Sequence, residues 1–211
     1  MSLPRPIRAS DAKASAARDQ LLEAASALMT EEGGFDVSLH QIGRKAGVTA
    51  PLVKYYFGSK DGLLVALAQR DTAGLLAQLE ALMAMDMDPA TKLRIHINGI
   101  LRTYSRYPYL NGLLDSLLRD DNTEGAQAIR ASFVRPLIDA QRQIIIEGIA
   151  VGQFREVDPN YVYFLIVGAC QYLFTTRVAF RELFGTNKLE PGFPREYAAF
   201  AVDYILRGIL A

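Results

Sequence analysis

Between Ser38 and Ser59 the chain carries two very short helical segments, each with its own start and stop signal, and this spacing constrains the fold more than any other feature. Ser38-Leu39-His40-Gln41 fits a capping box, in which the serine hydroxyl and the glutamine side chain satisfy each other's backbone amides. Gly47 stops the segment that begins at Leu39, because glycine adopts the left-handed conformation favoured at a helix C-terminus. Thr49 is placed to cap the next segment, and Pro51 is acceptable in its first turn, where amides have no intrahelical acceptor. Gly58 ends that helix after Phe57, and Ser59 caps a long helix from Lys60. Two helices this short, joined by Gly47-Val48-Thr49, cannot bury a core alone. They form the sequence pattern of a helix-turn-helix, with Ala50 to Phe57 in the recognition position.

The hydrophobic spacing agrees with that reading. Leu39, Ile42 and Ala46 give the first short helix an inner face, and Val48 plugs the turn. Leu52 and Val53, with Tyr56 or Phe57, close the core against Leu21, Leu28 and Met29 of a helix expected over Ala14 to Glu32. Thr49, Ala50, Pro51, Lys54 and Tyr55 are left outside, an uncharged or basic set suited to a nucleic-acid groove. Global charge is silent here: 23 Lys and Arg balance 23 Asp and Glu, so only local placement carries the argument. Residues 1–13 lack apolar periodicity and read as a flexible basic arm, from which Arg5, Arg8 and Lys13 are candidates for phosphate or minor-groove contacts.

The rest of the chain reads as long helices: Lys60 to Met83, Pro89 to Ser105, Tyr109 to Leu118, Thr123 to Val151 with a kink at Pro136, Asn160 to Phe184, and Arg195 to Leu210. No useful strand-period alternation occurs, so the expected class is all-α with about nine helices. A three-helix N-terminal domain would occupy 14–62 and a helical domain for effector binding and dimerisation 63–211. Cys170 is the only cysteine and lies in an apolar run, which reads as a buried inert thiol and excludes an intrachain disulfide. With two histidines besides, neither a metal site nor a cofactor is expected. No signal sequence or spanning segment stands out, so a cytoplasmic protein with no membrane partner is expected.

The Asn160 to Phe184 helix is apolar on nearly every side, and one domain cannot cover all of it. A second copy is the economical cover, with Tyr161, Leu165 and Ala169 meeting Val202, Ile205 and Ile209 of the last helix in a two-fold, four-helix interface. A mostly apolar effector pocket is expected among Leu101, Tyr104, Phe133, Tyr172 and Phe174, with His96, Arg102, Asn111, Gln141 and Arg177 as polar anchors. Paired carboxylates in a short motif, a Cys/His arrangement and a phosphate-binding glycine loop are all missing, which weighs against an enzyme. Two other readings stay open: a helical enzyme or carrier with a vestigial DNA-binding module, and a DNA-binding dimer without an effector.

The run Ile42-Gly43-Arg44-Lys45-Ala46-Gly47-Val48-Thr49, followed by Lys54-Tyr55-Tyr56-Phe57-Gly58-Ser59-Lys60-Asp61-Gly62-Leu63, closely resembles the DNA-binding domain of the tetracycline-repressor family. The resemblance spans Arg18 to Leu67. It implies phosphate contacts from Ser38, Thr49, Tyr56 and Lys60, and base-edge contacts from Ala50, Pro51, Lys54 and Tyr55. It also implies a homodimer on a palindromic operator, most often a repressor, released when a small-molecule effector shifts the Lys60 to Met83 helix. Pro51 stands where the family commonly has glycine and Lys54 where it commonly has tyrosine, so the operator sequence does not follow from the resemblance.

Overall fold

The computed structural model describes residues 9–186 and 192–211, apart from the side chains of residues 9–14 and Arg177. The regular structure among the described residues is helical, with a single isolated bridge between Phe154 and Leu210. Helix α1 (Ala9–Glu32) begins at Ala9 rather than at Ala14. Alanines favour helix here without any apolar stripe, and Asp11 suits a first turn. Arg5 and Arg8 of the expected arm lie outside the described residues, as does the side chain of Lys13.

Helices α2 (Leu39–Ala46) and α3 (Ala50–Phe57) fall where their caps place them. Helix α4 (Lys60–Met83) follows and contacts α1 and α3 as well as α5 to α8. The buried apolar residues form one cluster running from Leu21 to Ile209. The two units therefore share α4 and its leucines, and the expected division at 62–63 falls inside a helix rather than in a linker.

Helix α5 (Pro89–Arg106) is the central member of the larger unit, contacting α4, α8, α9 and α11. Asp88 caps it, its Oδ1 accepting from the Thr91 amide at 2.9 Å. Helix α6 (Leu110–Leu118) precedes α7 (Glu124–Ile129), which runs through a π turn at Arg130–Val134 into α8 (Arg135–Ala150). The kink expected at Pro136 appears as this widened turn just before it, which accommodates a residue that has no N–H to donate.

The expected single helix from Asn160 to Phe184 is two helices, α9 (Pro159–Thr175) and α10 (Arg177–Phe184), whose axes turn by 79° at Thr176. The Thr176 hydroxyl accepts from the Ala179 amide at 3.4 Å and starts α10, and this capping ends the run that apolar periodicity alone would continue. Helix α11 (Phe193–Ile209) closes the chain. Among the described residues eleven α-helices thus stand where about nine were expected, the additions coming from these two interruptions.

Candidate nucleic-acid interface

The turn between α2 and α3 is fixed by local chemistry. Ser38 and Gln41 form the capping box, with the Ser38 amide donating to Gln41 Oε1 at 2.8 Å and the Gln41 amide donating to Ser38 Oγ at 3.2 Å. Gly47 has φ +70°, a conformation other residues rarely take. A Cβ on Gly43 would lie 2.8 Å from the Val48 carbonyl oxygen, so α2 and the turn meet at glycine contact. Gln20 Nε2 donates to the Ala46 carbonyl at 3.2 Å, and the Arg18 guanidinium lies 5.1 Å from the centre of the Phe57 ring, tying both short helices to α1.

Ile42, Ala46 and Val53 are buried; Leu39, Val48, Tyr56 and Phe57 are partly buried against them. Ser38, Thr49, Pro51 and Lys54 are exposed, Ala50 is half-buried, and Tyr55 is 80% exposed with its ring standing edge-on to Tyr56 at 5.4 Å. An aromatic ring of that exposure contributes nothing to the protomer's core. Thr49 N-caps α3 by backbone conformation without a side-chain cap bond, so its hydroxyl is not used by the helix. Lys60, half-buried, pairs with Asp36 at 3.0 Å and would have to exchange or share that partner to reach a phosphate. Lys45 is held by Glu31 at 2.7 Å, whereas Arg44 is exposed and joins no ion pair among the described residues. Arg44 belongs with the candidates; its signal in the sequence was its place on the outer side of α2 opposite Ile42 and Ala46.

The expected effector residues divide into three groups. His96, Leu101, Tyr104, Phe133 and Gln141 are buried inside the larger unit. His96 Nε2 lies 3.2 Å from Gln141 Oε1, joining α5 to α8. Burial lowers the His96 pKa to about 4, so the ring is neutral and donates from Nε2, while His96 Nδ1 and Gln141 Nε2 are buried without a hydrogen-bond partner. Tyr104 accepts from Gln171 Nε2 at 3.2 Å and stands 6.1 Å from the half-buried Phe174 ring, a second group adjoining α9. Tyr172 is 65% exposed on the outer face of α9 and joins neither group, and the Arg177 side chain lies outside the described residues. Asn111, on α6 and also among the expected polar anchors, is buried with Oδ1 unpartnered.

On the expected interface, Tyr161 and Leu165 are exposed and Ala169 is half-buried, but Val202, Ile205 and Ile209 are buried within the protomer. The α11 half of that expectation is corrected. Ala198, Ala201, Val202, Ile205 and Ile209 form the inner stripe that packs on α5 and α9, which turns Phe200 and Tyr204 outward with Phe164 and Tyr172 of α9.

The smaller unit is tied to the larger through a buried polar node. The Tyr109 hydroxyl donates to the Asp71 carboxylate and shares a 2.7 Å hydrogen bond with Ser26 Oγ of α1. Arg70 reaches Asp71 at 2.7 Å and Glu23 of α1 at 3.2 Å. Desolvation raises the Asp71 pKa despite these partners. Cys170 is buried with its thiol pushed up to about 12, so it is not a thiolate at neutral pH. Among the described residues no three potential metal ligands come together, and no single helix is long and apolar enough to cross a membrane.

A capped helix-turn-helix whose second helix offers its polar and basic side to solvent, on a larger helical unit, defines a DNA-binding regulator. The sequence profile of the bacterial regulatory proteins of the tetR family matches residues 21–67, and that of the tetracyclin repressor-like C-terminal domain matches residues 86–211. The chain belongs to the tetracycline-repressor family of transcription regulators. It is 26% identical over 198 residues to the HTH-type transcriptional repressor NicS of Pseudomonas putida, covering 91% of this chain and 92% of that protein. It is 27% identical over 165 residues to the regulator RutR of Escherichia coli, covering 75% and 74%. Its fold matches the ketosteroid regulator KstR2 of Mycobacterium tuberculosis with a TM-score of 0.73 at 18% identity, over 92% of this chain and 95% of that one. It matches FadR of Bacillus subtilis, solved in complex with stearoyl-CoA, with a TM-score of 0.70 at 20% identity, over 90% and 98%.

Proposed function

We propose that this regulator is a non-enzymatic, cytoplasmic repressor that binds a palindromic operator as a homodimer and is released from it by a small-molecule effector. The observation that carries the DNA contact is the outer side of α3, where Lys54 and the 80%-exposed Tyr55 project beside Thr49 and Pro51 without a partner in the protomer's core. Ala50, Pro51, Lys54 and Tyr55 read base edges, Lys54 by donating to guanine O6 or N7. Ser38, Thr49, Tyr56, Lys60 and the added Arg44 hold phosphates.

The outward apolar side chains of α9 and α11, Tyr161, Phe164, Leu165, Phe200 and Tyr204, support a two-fold interface between copies. Exposed aromatic side chains in this number are costly in water and point to a protein contact. The buried but incompletely partnered His96, Gln141 and Asn111 support an effector site in the apolar interior near Leu101, Tyr104, Phe133 and Phe174. Selection of random duplex DNA on the purified protein at near-physiological salt tests this function. An enriched palindrome is the expected result, and retention that only tracks salt, with no enriched sequence, would overturn it.

A further inference from the structure

Besides the apolar interior, the larger unit has an open groove of about 910 Å³ between α4, α5 and the first turns of α11. Its character is different. Four arginines line it, Arg70, Arg102, Arg106 and Arg195, against one carboxylate, Asp71, which is buried against Arg70 and Tyr109. Arg102 donates to Gln78 Oε1 at 2.9 Å with one of its five N–H groups, and Arg106 lies over the Tyr107 ring at 5.3 Å, which stiffens it without neutralising it. Arg106 and Arg195 join no ion pair among the described residues. Arg195 stands in the first turn of α11, where the helix dipole disfavours a cation, so its placement does nothing for helix stability.

The floor is equally specific. Gly74 sits in the middle of α4 facing this space, and a Cβ there would meet nothing within 4 Å. Alanine would fit and would stabilise the helix by about 1 kcal/mol. Sterics inside the protomer do not require the glycine, and its lack of a side chain leaves the groove open at that point.

We infer that this groove binds a small organic polyanion, its carboxylate or phosphate groups held by Arg102, Arg106 and Arg195 beside the ion-paired Arg70. Guanidinium forks match such groups two hydrogen bonds at a time, and a volume of this size holds a metabolite. The site also reaches the DNA-binding unit. Arg70 Nη1 donates to Glu23 Oε2 of α1 at 3.2 Å, and an anion in the groove competes with Glu23 for that guanidinium, loosening α1 from α4. This last step rests on the regulator reading above; the anion site itself does not.

The test is calorimetric titration of the full-length protein with citrate and, separately, pyrophosphate at constant ionic strength. Saturable binding of one anion per protomer is expected, and the stronger probe tells carboxylate from phosphate. Arg102→Gln with Arg195→Gln should weaken binding by roughly tenfold or more. Gly74→Leu should abolish it without removing any charge, while circular dichroism and DNA binding without anion stay as in the parent. No saturable binding of either probe up to about 10 mM, or binding unaltered in Gly74→Leu, overturns the inference. The same titrations followed by anisotropy of a selected duplex separate the two claims: DNA binding without anion binding defeats the groove alone, and anion binding without DNA binding defeats the regulator reading alone.

Discussion

Helix α4 joins two regions built on opposite plans. Helices α2 and α3 are eight residues each, bounded by local signals, and apolar on one side, so whatever is polar on them faces out and forms the candidate interface. Helices α9 and α11 are 17 residues each; α9 is apolar around most of its circumference, and on α11 aromatic residues border the buried stripe, so hydrophobicity alone does not tell an inner face from an outer one. Tyr204 and Ile205 make the point: adjacent in the chain and both apolar, one is 70% exposed and the other 3%. Where polar residues mark the outside, pattern gives orientation; where the pattern is saturated, only packing does.

The largest expected effect falls on the outward face of the second region. Phe164→Asp combined with Tyr204→Asp should weaken self-association by on the order of 4 kcal/mol, since two central aromatic anchors are each worth about 2 or more. Sedimentation would show a monomer with native helix content. A dimer that persists would mean that another face joins the copies. Just inside, Ile205→Ala should lower unfolding stability by about 2 to 5 kcal/mol through the cavity it leaves. If denaturation showed the variant as stable as the parent but unable to dimerise, the inner and outer stripes of α11 would have to be exchanged.

The interior of the larger unit also titrates. His96 has a folded pKa of about 4 against an ordinary 6.5, so it binds fewer protons folded than unfolded and stability falls as pH drops through that window. The loss by pH 4 should reach about 3 kcal/mol. Chemical denaturation across that range measures it, and His96→Asn should flatten the slope; an unchanged slope would show that other groups carry it.

In the first region the effects are smaller and act on DNA. Lys54→Ala should weaken specific binding by about 1 to 3 kcal/mol and relax the preference at one base pair, as selections on the variant would show. Equal weakening on every duplex would place Lys54 on a phosphate instead. Ser38→Ala, which removes half of the capping box, should lower stability by about 1 kcal/mol in thermal melts. Melting unchanged by the substitution would mean that tertiary contacts alone hold the start of α2.

Most of the smaller unit was legible because its signals are short-range. A capping box spans four residues, a left-handed glycine one, and each acts through the backbone beside it. Interruptions in the long helices were harder to read. The break at Thr176 depends on a hydroxyl out-competing a helical bond, and the π turn before Pro136 on neighbours that tolerate a wide turn. Of the effector candidates, His96 and Gln141 do meet across α5 and α8, since a histidine and a glutamine in apolar stripes had few other places to go. Tyr172 went outside because α9 has two apolar sides and the inner one was taken by Val162, Ile166 and Cys170.

By itself, then, the sequence determined the helices of the DNA-binding unit, their order and the residues they expose, because caps, glycines and amphipathic spacing act over one or two turns. Tertiary structure decided which stripe of α11 is core, that α4 belongs to both units, and that arginines 125 residues apart at the extremes, Arg70 and Arg195, share one groove. Those outcomes depend on how apolar surfaces compete for a limited interior, and no residue carries that information alone.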